Sequence, residues 1–126
     1  MNKKIILTSA SPAPIGPYSQ AVLVGETLYC SGSIALDSAG NLHTETIETQ
    51  TIQIMKNIKA VLNAAEMDYG NIVKTSIFLT DMNDFSIVNE IYASYFNANF
   101  PARETVQVSA LPRGVNVEIS VIAVKG

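Results

Sequence analysis

Cysteine and histidine are nearly missing from this chain: Cys30 and His43 are its only ones. One cysteine excludes an intrachain disulfide and permits a reducing compartment. Its place in the apolar run Leu28, Tyr29, Cys30 marks it as a small buried residue rather than a reactive thiol. With no other histidine or cysteine near His43, the usual zinc spacings are missing and no metal is expected. Charge is scarce as well. Asp, Glu, Lys and Arg make up 15% of the residues, against roughly 25% in an average soluble domain, so part of the surface is expected to be covered by partners. The eight Lys and Arg are dispersed and the net charge is -3, which leaves no basic stripe for a phosphate backbone. Nucleic acid is therefore not an expected partner. No apolar run reaches membrane-spanning length, and Lys3 and Lys4 precede only Ile5, Ile6 and Leu7, too few for a signal-peptide core. A cytoplasmic protein with no membrane partner is the expectation. Glycine-rich phosphate loops, low-complexity tracts and regular repeats are absent too.

What is present is material for one core. The 126 residues are 48% apolar, and a single domain over residues 1–126 is expected. Lys4 to Thr8 reads as a strand, followed by a rigid turn at Pro12, Pro14, Gly16 and Pro17. Ala21–Val24 and Thr27–Ile34 read as two strands joined at Gly25 and Glu26. From about Glu45 to Glu66, Ile47, Thr51, Ile54, Ile58, Val61, Leu62 and Ala65 recur at helical spacing, opposite Glu48, Lys56, Lys59 and Asn63. Ile72–Thr80 is a β-branched strand, and Asp81 to Asp84 offers cap chemistry for a second helix to about Asn97. Arg103–Ala110 and Val115–Val124 read as closing strands around LPRG. The order β, β, β, α, β, α, β, β predicts an α+β two-layer sandwich. Two helices cover one face of such a sheet. On the last strand Val117, Ile119, Val121 and Ala123 form one row, and the opposite row, Asn116, Glu118, Ser120, Ile122, Val124, turns apolar toward its end. Both faces thus carry surface to bury, which predicts packing between subunits.

The segment FPARETVQV sets a guanidinium at the head of a strand. Alternation puts Arg103, Thr105, Gln107 and Ser109 on one side and Val106, Val108 and Ala110 on the other. A planar cation beside small polar groups suits a carboxylate, whose two oxygens its fork of N–H donors can grip; a strand-edge arginine in a surface ion pair is the plainer reading. Glu118 lies among β-branched neighbours in VNVEISVIAV, and a charge there needs a partner or a task. If LPRG makes the last two strands a hairpin, Glu118 falls opposite Thr105 or Gln107, on the face shared with Arg103. The two would then flank one polar pocket, or simply neutralise each other.

Together, IGPYSQAV (Ile15–Val22), SG (Ser31, Gly32), DMNDFSIVNEIY (Asp81–Tyr92), PAR (Pro101–Arg103) and LPRGVNVEISVIAV (Leu111–Val124) resemble the reactive intermediate deaminase family, Rid or YjgF, in order and over essentially the full length. The resemblance implies chorismate-mutase-like subunits, a mixed sheet covered on one face by two helices, in a homotrimer with sheets facing inward and clefts between chains. It implies hydrolysis of enamines and imines such as 2-aminoacrylate, 2-iminopropanoate and 2-iminobutanoate to 2-keto acids and ammonia, with no cofactor. Arg103 matches the family's carboxylate-binding arginine, Glu118 its water-positioning acid and Tyr18 a cleft tyrosine contributed across the interface, unless that ring only packs. Ser31, Gly32 and Asn89 match positions that line or brace the cleft. Thr105 stands where many members have cysteine, which leaves its backbone N–H to bind the carboxylate. Ser33, Ala35 and Ser120 also depart from the common pattern, which bears on substrate range and rate. A trimer that binds a small carboxylate and regulates a partner enzyme without catalysis is the alternative.

Overall fold

In a computed structural model, which describes residues 1–126, the chain forms a six-stranded sheet with two helices on one face. The strands are β1 (Lys3–Ile6), β2 (Ala21–Val24), β3 (Thr27–Cys30), β4 (Ile72–Leu79), β5 (Ala102–Gln107) and β6 (Val117–Val124), and the helices are α1 (Ile47–Ala64) and α2 (Phe85–Ala93). Helix α1 starts where Thr46, in extended backbone, accepts the Thr49 N–H on its side chain at 3.0 Å, which satisfies one of the orphan donors of the first turn. Its buried side holds Ile54, Met55, Ile58, Val61 and Leu62, the stripe that the 3.6-residue period predicts. Helix α2 is shorter than expected. It stops at Ala93, and Tyr95 and Phe96 pack from the turns beyond it.

Strand order is β1-β2-β3-β6-β4-β5. All neighbours are antiparallel except β4 and β5, which run parallel. The expected hairpin of the last two strands does not form, because β4 lies between them. The β4-α2-β5 segment is a crossover unit that lays β5 parallel along one edge of β4, and β6 takes the other edge, with Phe78 opposite Glu118. Residues 108–116 bridge over the end of β4, fastened by Val108 N–H to the Leu79 carbonyl (2.8 Å) and Thr80 N–H to the Asn116 carbonyl (3.1 Å).

The core lies between the helices and one sheet face, which presents Ile6, Ala21, Leu28, Ile72, Ile77, Leu79, Val117, Ile119, Val121 and Ala123, all buried. The other face carries no helix. Val22, Val24, Ile122 and Val124 alternate onto it with Phe78 and Glu118, and Ile5, Tyr29 and Val106 on that face are 51%, 50% and 42% exposed. The longest helix, α1, is 18 residues, and no helix is long and apolar enough to cross a membrane.

Candidate active site in two halves

Arg103, the second residue of β5, lies on the helix-covered side of the sheet, beside buried Thr75 of β4. Its guanidinium lies over two rings of α2, 5.6 Å from the centroid of Phe85 and 5.4 Å from that of Tyr92. Nη1 donates to Asn89 Oδ1 at 2.6 Å. Phe85, Asn89 and Tyr92 stand at i, i+4 and i+7, so one stripe of one helix holds the planar cation from three points. Tyr92 is fixed in turn by its hydroxyl, which donates to Thr75 Oγ1 at 2.9 Å. The two ion pairs of the molecule join His43 to Asp37 and Lys74 to Glu104. Arg103 is in neither, so it forms no ion pair within the chain.

Two residues on, Thr105 faces the same way, and its Oγ1 is buried without a hydrogen-bond partner. Polar groups so placed are uncommon, because an unmade bond costs about 1–3 kcal/mol. The backbone adds to this. In a parallel pair alternate residues turn both N–H and C=O to the neighbour; Val108 gives its N–H to Leu79, so the N–H groups of Thr105 and Arg103 point outward from the sheet edge. A cavity of about 420 Å³ beside them is lined by Asn89, Tyr92, Ala93, Phe100, Pro101 and Arg103.

Glu118 belongs elsewhere. Its partner Phe78 and its neighbour Ser120 are on the helix-free face, so Arg103 and Glu118 of one chain sit on opposite sides of the sheet. Sequence alternation sorts each strand correctly, but the inserted β4 breaks the inference that joins them. Glu118 instead lines a cleft of about 570 Å³ with Tyr18, Ser31 and Gly32. The carboxylate lies flat over Gly32, where any Cβ would come within 2.8 Å of Glu118 Cδ. A side chain at position 32 would thus push the Glu118 carboxylate off this seat. Glu118 has no ion-pair partner, and burial pushes its carboxyl above the ordinary value of 4.5.

Tyr18 folds back over Gly16, which takes φ of 121°, and its hydroxyl oxygen accepts the Ile15 N–H at 3.3 Å. The phenolic proton therefore stays free to donate into the cleft. Ser31 is a brace: its Oγ donates to the Ser19 carbonyl at 2.6 Å and its N–H to the Gln20 carbonyl at 2.9 Å. Asn89 braces too, but it holds the arginine rather than a loop. Of the predicted residues, Tyr18, Ser31, Gly32 and Glu118 come together, Arg103, Asn89 and Thr105 come together, and neither cavity contains both sets.

Sequence reasoning misses two buried amides that shape the cleft. Gln20 accepts the Thr8 N–H (2.8 Å) and donates to the carbonyls of Thr8 (3.0 Å) and Pro12 (2.8 Å), pinning the loop that ends in Tyr18. Asn57 of α1 donates to the carbonyls of Ile34 (3.1 Å) and Leu36 (2.8 Å). Its signal is its place three residues after Ile54, inside the apolar stripe. Cys30, half-buried, has its thiol raised to about 12 by burial and is no nucleophile. His43 meets Asp37 at 2.7 Å, and that hydrogen bond first of all holds the Asp37 carboxyl down to about 2. No group of three or more His, Cys, Asp or Glu gathers as a metal site.

Known proteins resemble this chain in sequence and fold. A family model described as Endoribonuclease L-PSP matches residues 8–125. A 2-iminobutanoate/2-iminopropanoate deaminase from Mus musculus is 51% identical over 98% of this chain and 93% of its own length. The protein of the same name from Homo sapiens is 48% identical over 98% and 91%. A crystal structure of a protein of unknown function from Yersinia pestis, assigned to the conserved Rid protein family, superposes with a TM-score of 0.96 at 51% identity, covering 98% of this chain and all of that one. With a match over nearly every residue in sequence and in fold, this chain belongs to the Rid family, the family also described as endoribonuclease L-PSP.

Proposed function

We propose that this chain is an enamine/imine deaminase that hydrolyses 2-iminopropanoate and 2-iminobutanoate, the imine forms of 2-aminoacrylate-type intermediates, to 2-keto acids and ammonia. The observation that carries the reading is an arginine oriented by three side chains yet lacking any anion, in a molecule that also holds an unpartnered glutamate with a raised pKa. Relatives about half identical over nearly the whole chain bear the name of that activity. The working unit is a homotrimer whose helix-free sheet faces turn inward. Exposed Ile5, Tyr29 and Val106 supply apolar surface for that contact, and a closed ring of identical contacts is the economical way to bury it. Each cleft then takes Arg103, Asn89 and Thr105 from one subunit and Tyr18, Ser31, Gly32 and Glu118 from the next.

The chemistry follows from the groups. Arg103 holds the substrate carboxylate through the donors not spent on Asn89, and the outward N–H of Thr105 adds another, so the adjacent imine carbon is fixed in place. Ionised Glu118 orients a water and takes its proton as oxygen attacks that carbon. The protonated acid gives that proton to nitrogen to complete a carbinolamine; Glu118 then takes the carbinolamine hydroxyl proton and passes it to nitrogen as the carbon–nitrogen bond breaks, leaving ketone and ammonia. A raised pKa suits an acid that must hold the proton between these steps, a role worth roughly 10²- to 10⁴-fold. An imine is electrophilic already, so the reaction calls for no cofactor. The setting is cytoplasmic, where pyridoxal-phosphate enzymes release such intermediates. The test is to generate 2-aminoacrylate with a serine or threonine dehydratase and follow its decay with and without this protein. Faster decay is expected; an unchanged rate alongside measurable keto-acid binding would leave a non-catalytic carboxylate binder.

A further inference from the structure

We propose that Arg113 is a second anion anchor in the Glu118 cleft, and that it extends the substrate range to 2-imino acids with an acid group on the side chain as well. The inference rests on the deaminase reading above. The chain has only two arginines, and each lines one of the two cavities described. Arg103 is braced by an amide and two rings. Arg113 is not: it enters neither ion pair, lies over no aromatic ring, and is exposed at the cleft with Pro112 beside it.

Its backbone is left-handed, with φ 60° and ψ 15°. A non-glycine residue there is strained, and such strain persists where the surrounding structure imposes it. Here the turn is imposed on both sides. Pro112 opens it, the Gly114 N–H reaches the Leu111 carbonyl at 3.2 Å, and Val115, 1% exposed, seats the chain in the core before β6. Glycine or asparagine would meet that geometry with less strain, yet the position holds a long cation aimed at solvent and cleft.

Glu118 is not its counter-ion. The Glu118 carboxyl is raised by burial with no cation lowering it, so the one acid and the one cation of this cleft do not neutralise each other. The cleft, about 570 Å³, is of the size that encloses a whole drug-like ligand and has more room than a three- or four-carbon acid needs. With the first carboxylate of a substrate on Arg103, the free fork of Arg113 suits a second one. The class that presents both is the four- or five-carbon dicarboxylic 2-imino acid, whose hydrolysis uses the same water and releases the same ammonia. Oxidation of an acidic amino acid at its carbon–nitrogen bond is the reaction type that supplies it.

The test compares 2-iminosuccinate, formed in situ from aspartate by an aspartate oxidase, with 2-iminopropanoate from dehydratase-generated 2-aminoacrylate, each above its uncatalysed rate. The ratio of kcat/KM for the two is measured in the wild type, Arg113→Asn and Arg113→Lys, because asparagine keeps the left-handed turn. The ratio should fall tenfold or more in Arg113→Asn and less in Arg113→Lys. Calorimetric affinity for 2-oxoglutarate should fall in step, relative to that for 2-oxobutanoate. A wild type active on 2-iminopropanoate but not on 2-iminosuccinate overturns the proposal, as does an unchanged ratio in Arg113→Asn. A wild type inert on both imines, with Arg113-dependent binding of 2-oxoglutarate, overturns the deaminase reading and leaves the anchor standing; inertness without such binding overturns both.

Discussion

At Arg103 the chain spends an amide and two aromatic faces on a cation and gives it no anion. Stacking and a fixed hydrogen bond hold a guanidinium by its plane, which an ammonium lacks. Arg103→Lys should therefore lower the rate of imine hydrolysis by on the order of tenfold or more with the assembly intact, and Arg103→Ala should abolish it; decay assays on both variants decide. Glu118 makes a prediction that needs no substrate. Because burial raises its carboxyl above 4.5, the folded state binds that proton more tightly than the unfolded chain does. Stability is then fully kept below the unfolded value and lost as pH rises through the raised one. In an Arg103→Ala background, which removes the cation a neighbouring subunit would bring to the cleft, Glu118→Gln removes the loss, so its Tm should exceed that of Arg103→Ala alone at pH 7 and converge with it below about pH 4. A constant difference across that range would mean the carboxylate is not desolvated.

Among elements, the cleft depends on amides anchored in the core. Asn57, 3% exposed, is the one side chain of α1 that holds both Ile34 and Leu36 by their carbonyls. Asn57→Ala leaves the Leu36 carbonyl without a donor, while the Ile34 carbonyl keeps the Leu36 N–H, and should cost about 1–3 kcal/mol in denaturant unfolding. It should also raise KM more than it lowers kcat, because the loop lining the cleft loosens while Glu118, held by β6, stays in place; an unaltered KM would count against that coupling. How far the sequence reads at this scale depends on how local the signal is. The face of α1 and the alternation within β5 and β6 follow from period alone, since each is set by backbone geometry within one element. Residue types at the site are readable for the same reason: a lone acid among β-branched residues and an arginine after proline stand out locally. Which face of one strand matches which face of another is set by pairing, and pairing is long-range. LPRG looks like a hairpin turn, yet β4, some forty residues upstream of β6, takes the place between β5 and β6. That one insertion moves Glu118 to the face opposite Arg103. Gln20 and Asn57 escape notice because a buried amide cannot be told from an exposed one until its carbonyl partners are in place.

For the whole molecule, the proposed trimer makes assembly a condition of activity. Within one chain Arg103 and Glu118 lie on opposite sides of a sheet, so the shared site proposed above needs two chains. Light scattering should give a mass near three times 13.5 kDa. A monomer would leave each site half built. Subunit mixing tests the arrangement more sharply. Arg103→Ala and Glu118→Gln homotrimers should each be inactive, since every cleft in the first lacks its anchor and every cleft in the second its acid. Unfolded together in equal amounts and refolded, the two should form mixed rings. A cleft works only when the subunit giving the arginine is the Glu118→Gln chain and its neighbour giving the acid is the Arg103→Ala chain. Each condition holds half the time, so random mixing should restore about one quarter of wild-type activity. If both residues served one cleft from the same chain, no mixture could contain an intact site and the refolded sample would stay inactive. Recovery in the mixture, with none in either variant refolded alone, therefore separates a shared cleft from a private one by a result that neither single variant can give.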